Sequence, residues 1–199
     1  MNSELINQLP LGANGLPYKF PMHPNLVHLT LGLFIIGIAF DIVGVLFPFD
    51  KVVFKYLAIP ATRANFFDVG WYNMLGAAVV TFFTVAFGFY EIMLVDSTPE
   101  IKSVWGLGAM ETMLWHGVGG VMLLGLIVGM TIWRGFQRYV WRNDTSRQVQ
   151  WGYLLAALAI MFVMYLHGTL GAQLAAEFGV HNTAGNLLRM GQDPNVVLK

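Results

Sequence analysis

The 199-residue chain contains no cysteine. This excludes disulfides, iron–sulfur clusters, thiolate zinc sites and the Cys-x-x-Cys-His attachment of c-type haem, so any metal chemistry must use His, Met or carboxylates. Charge is also scarce: 11% of residues are charged, and 11 Lys and Arg balance 11 Asp and Glu. Basic residues so few and dispersed form neither a nucleic-acid surface nor a strong anionic-lipid patch. Residues 1–22 lack the basic start and apolar run of a secretory leader, so no cleavable signal is expected and the first span acts as the insertion signal. No mobile nucleophile, phosphate-cradling loop or paired catalytic carboxylates stand out. No catalytic residue is therefore assigned, and the chain reads as an electron carrier or subunit rather than a stand-alone enzyme.

What the chain has in abundance is apolar surface. Hydrophobic residues make up 56% of it, the mean hydropathy is +0.61, and the apolar residues fall in blocks near the length of a membrane crossing. Four spans are expected, at residues 26–47, 72–94, 111–133 and 151–175, and in lipid they must be helices because backbone polar groups have to be satisfied within the segment. The reading is an all-α, integral membrane four-helix bundle, a single transmembrane domain over residues 1–199. Pro24 and Pro48 punctuate the first span. The connection from Phe49 to Gly70 is expected to lie along the interface, and Arg134 to Gln150 to form a loop. Seven basic residues (Lys51, Lys55, Arg63, Arg134, Arg138, Arg142, Arg147) fall on one side against four (Lys19, Lys102, Arg189, Lys199). That asymmetry places those loops in the cytoplasm and both termini in the periplasm or a lumen.

The spans also repeat. Trp71, Leu75, Ala77 and Gly88 match Trp151, Leu155, Ala157 and Gly168 at a constant offset of 80. The expectation is two tandem two-helix halves related by a pseudo-two-fold axis along the membrane normal. The ordinary alternative is that apolar, glycine-rich helices resemble one another.

Three histidines stand four residues before a glycine: His28 and Gly32, His116 and Gly120, His167 and Gly171. A His one helical turn before a Gly puts an imidazole above bare backbone, as a flat prosthetic group beside its metal ligand requires. In an up-down bundle all three fall near the outer face. His28 and His116 then become axial ligands of a haem b, with Gly32 and Gly120 leaving room for the ring. His167 could be a third ligand, hold a propionate, or bond a carbonyl. Each has an ordinary reading as well: His28 an interfacial residue or cap, His116 a desolvated ring with a neighbouring partner. His23 and His181 read as ordinary polar-segment residues. Glu91 and Glu111 could accept an imidazole N–H or relay protons, or reach to nearby water. Asp41 is expected to pair with Arg134 in a structural role. Met22, Met110, Met113 and Met164 near the histidines suggest copper as the alternative metal, although Met is a common filler of apolar helices.

The segment His23-Pro24-Asn25-Leu26-Val27-His28, the apolar span with Asp41, and Gly168, Gly171, Glu177, Phe178, Gly179 and Val180 carry a resemblance. The chain resembles a bacterial family of small four-helix predicted membrane proteins classed as a domain of unknown function, which opens His-Pro-x-x-x-His. The likeness covers spans one and four well and the middle loosely. Members usually carry His next to the final Gly-Val, where this chain has Phe178, with His181 afterward. The resemblance implies a four-helix membrane fold and, in some genomes, proximity to terminal-oxidase subunits. The expected function is electron transfer through a b-type haem in the plasma or thylakoid membrane. The expected donor is a soluble cytochrome or copper protein, and the expected neighbour another membrane subunit or a second copy. The alternative is a non-catalytic accessory or assembly subunit of a respiratory or photosynthetic complex, handling copper.

Overall fold

The computed structural model describes residues 10–47, 51–57, 60, 62–95, 100–141 and 149–198. Among these the chain is all-helical: α1 Met22–Leu46, α2 Lys51–Tyr56, α3 Arg63–Ile92, α4 Ala109–Tyr139, α5 Trp151–Ala176, α6 Thr183–Arg189 and α7 Pro194–Val197. Four of them, α1, α3, α4 and α5, are packed together and are long and apolar enough to cross a membrane. Pro48, Arg142 and Arg147 lie outside the described residues.

Two helices run beyond their expected spans, for one electrostatic reason. α3 begins at Arg63, so residues 63–70 are part of a long helix continuous with the second span, and α4 continues through Arg134 and Arg138 to Tyr139. Arg138 pairs with Asp68 at 2.7 Å, and Arg134 grips Asp41 with Nε and Nη2, both at 3.0 Å. Charges that would end an isolated apolar span are thus neutralised between helices, which lets both continue.

By its contacts the chain divides into two compact units: Leu26–Thr84 with Val121–Tyr165, and Met1–Asn25 with Val85–Gly120 and Leu166–Lys199. The first has a core of Phe34, Ile38, Phe67, Met74, Ile127, Tyr153 and Ala157, all essentially inaccessible. Here α1 and α3 approach closely at glycines. A Cβ on Gly37 would sit 3.2 Å from the Gly70 carbonyl oxygen, one on Gly44 would strike the Phe67 ring at 2.5 Å, and one on Gly70 would collide with the Asp41 carboxylate. This small-residue seam lets Asp41 lie fully buried beneath Arg134. The Asp41–Arg134 pair expected from the sequence is present. The Thr30 and Thr84 hydroxyls join at 2.9 Å along the same pair of helices.

Candidate functional site

The second unit holds four of the five histidines. His23, in the first turn of α1, and His116, in α4, point their Nε2 atoms at each other, 3.4 Å apart. The ring centroids are 5.7 Å apart and the planes cross at 88°. The centroid distance exceeds the nitrogen separation by about 2.3 Å, close to one imidazole centroid-to-rim distance on each side, so the two nitrogens meet nearly head-on. The separation is long for a hydrogen bond. His167, from α5, stacks on the other flank of His116, with centroids 4.2 Å apart and planes within 4°. The Nδ1 atoms of His116 and His167 are buried and have no hydrogen-bond partner among the described residues.

Each ring lies on a glycine of a neighbouring helix. A Cβ on Gly88 would come 2.8 Å from His23 Nδ1, one on Gly119 2.6 Å from His167 Nδ1, and one on Gly171 2.9 Å from His116 Cε1. The His-x3-Gly pairing thus has a reciprocal meaning between α4 and α5: the glycine one turn beyond His167 receives His116, and Gly119, beside Gly120, receives His167. Gly120 itself meets His167 only at ordinary contact distance, and Gly32 has nothing within 4 Å of a Cβ.

His28 belongs to the first unit and its ring is exposed. Five helical residues turn the chain by about 500°, so His28 and His23 point roughly 140° apart around α1. The imidazole that meets His116 is His23, not the expected His28, although His23 reads from the sequence as an ordinary polar-segment residue. The missed signal was the start of α1: Met22 and His23 already lie in the helix. Pro24 is tolerated there because first-turn amides make no intrahelical bond.

Those amides are satisfied by Glu91, near the end of α3. Its Oε1 accepts from Met22 N–H at 2.8 Å, His23 N–H at 3.1 Å and the Tyr18 hydroxyl at 2.8 Å. Burial, and then the hydrogen bond to Glu91, push the Tyr18 phenol well above its ordinary value. Glu91 is thus a buried helix cap, neither an imidazole acceptor nor a group reaching to water. Its backbone carbonyl lies 2.9 Å from His181 Nε2, while His181 Nδ1 lies 3.2 Å from the Asn14 carbonyl oxygen. Glu111 also caps: it accepts from Gly108 N–H at 3.0 Å at the start of α4.

Of the methionines near the histidines, Met110 is exposed, Met113 packs with Ala109, Leu174 and Phe178, and Met164 lies in the core of the first unit. Among the described residues no three of His, Cys, Asp and Glu are disposed to hold a metal ion between them. α5 ends in a turn at Gly179, whose φ is +67°, and Arg189 donates to the Phe178 carbonyl at 2.8 Å. Phe178 is fully buried in that small cluster.

These features define a four-helix membrane protein with a paired imidazole site. Residues 19–184 match the family described as "Predicted membrane protein (DUF2231)", and the chain belongs to that family. No curated protein and no solved structure gives a significant match.

Proposed function

We propose that the chain is a b-type haem protein of electron transfer, with His23 and His116 as the axial pair. The observation carrying this reading is the head-on approach of two Nε2 atoms on crossed ring planes. Imidazole–metal bonds are about 2.0–2.1 Å long, so ligands opposite each other across a metal stand about 4.1 Å apart. The pair is thus within a fraction of an ångström per ring of that separation. The glycines that receive the rings, and the unpartnered Nδ1 atoms, also fit a site made for more than packing.

Haem, when bound, would be held by His23 and His116 and would supply a one-electron iron couple. The residues' own work is to hold and exclude. His167 fixes the plane of His116 by stacking, and Met113, Leu174 and Phe178 form a dry cluster in the same unit. The basic-residue count supports placing both termini and the histidines on the periplasmic or lumenal side, facing a soluble cytochrome or copper-protein donor. The Ala77 and Ala157 pair, both fully buried, is in keeping with tandem halves.

The test is the reduced-minus-oxidised spectrum and haem-to-protein ratio of detergent-purified protein. A b-type spectrum is expected, lost in His23→Ala and in His116→Ala and kept in His28→Ala. Colourless protein carrying copper, or no metal, would instead support the accessory-subunit alternative. For orientation, Val104→Cys should react with an impermeant maleimide in right-side-out cells while Tyr56→Cys does not; both positions are highly exposed.

A further inference from the structure

We infer that Glu91 is the positioning residue of His23, holding it in the first turn of α1 and hence in line with His116; this rests on reading His23 as a ligand. Each residue of an α-helix advances about 100° around the axis, so the body of α1 directs the His23 side chain only if the helix begins early enough to include it. At the start of α1 the free amides of Met22 and His23 both converge on one carboxylate oxygen, Glu91 Oε1. Tyr18, four residues before Met22, donates to the same oxygen and anchors the incoming chain. Gly88 lies one turn earlier on α3, on the same face as Glu91, and the His23 ring rests on it. The last turn of α3 thus supplies both an acceptor for the His23 backbone and a floor for its side chain. Removing the acceptor strands two helix-start donors, which frees the first turn to unwind and His23 to leave the line toward His116. Gln at this position keeps a carbonyl oxygen able to accept the same bonds.

The experiment uses the full-length protein, purified without haem, with 15N-labelled histidine. The side-chain contact between His23 and His116 is read by nuclear Overhauser effects, with resonances assigned from His23→Asn and His116→Asn. Haem affinity is then measured by titration on the same samples. The contact is expected in wild type, Glu91→Gln and Tyr18→Phe, and lost in Glu91→Ala, which should bind haem about tenfold or more weakly. Thermal unfolding of Glu91→Ala serves as the folding control. Persistence of the contact in a folded Glu91→Ala overturns the inference, whatever the haem affinity. Loss of the contact in Glu91→Gln and Tyr18→Phe as well as in Glu91→Ala also overturns it, because generic loosening would then explain the effect. If wild type takes up no haem yet the contact follows Glu91 as expected, positioning stands and the haem reading falls.

Discussion

His116 lies across the bare backbone of Gly171, where a Cβ would come within 2.9 Å of its Cε1. His167 and Gly119 repeat the arrangement in the opposite direction, so two helices exchange an imidazole for a glycine twice. Gly171→Ala and Gly119→Ala should therefore displace a ring and cost about 1–3 kcal/mol. Gly120→Ala, one residue along, and Gly32→Ala should be neutral or gain up to about 1 kcal/mol from helix propensity. Thermal unfolding in detergent, with haem content measured in parallel, separates the two classes. Equal effects at Gly119 and Gly120 would contradict the reciprocal packing.

The Asp41–Arg134 pair predicts a non-additive result. Asp41→Asn or Arg134→Met alone abandons one partner at a fully inaccessible site and should cost about 3–5 kcal/mol. The double variant Asp41→Leu, Arg134→Met should recover much of that loss, since neither charge is then left unpaired. A double-mutant cycle on unfolding stability gives the coupling, and additive losses would show that the two charges do not depend on each other.

His181 has a left-handed backbone, φ +54°, and its ring spans two carbonyl oxygens. His181→Gly relieves the backbone while removing both ring contacts. A net loss of about 1–3 kcal/mol is expected, because losing the ring's contacts to the Asn14 and Glu91 carbonyls outweighs the conformational relief. A rise in melting temperature would reverse that ranking.

Tyr18 supplies a pH dependence. Its phenol is raised by burial and by Glu91, so the folded protein holds that proton more tightly than the unfolded chain. The resulting stabilisation is fully present below the ordinary phenol pKa of about 10 and is lost as pH rises through the folded value. Wild type should show an alkaline loss of stability that Tyr18→Phe lacks. Coincident alkaline unfolding curves would rule this out.

The four spans were legible because lipid imposes a simple rule on apolar runs. Their ends were not: Asp68, Arg134 and Arg138 read as signals to stop, and only pairing between helices cancels them, Arg138 with Asp68 of α3 and Arg134 with Asp41 of α1. The site was half legible. His116 and His167 were singled out by a glycine one turn on, although the glycine each ring uses belongs to the other helix. Choosing between His23 and His28 required the start of α1, and that start depends on a carboxylate 68 residues further along the chain. Local pattern carries no trace of so distant a cap.

The burial of Asp41 also bears on how the protein is made. α1 leaves the ribosome first, whereas Arg134 follows 93 residues later on α4. Until α4 arrives, Asp41 lacks the guanidinium that pairs it, and an unpaired Asp costs up to about 2.5–3.5 kcal/mol on insertion at a helix centre and less toward a helix end, where Asp41 stands. A nascent chain halted after α3 therefore still holds an uncompensated acid, and the arrival of α4 is what completes the pairing of α1.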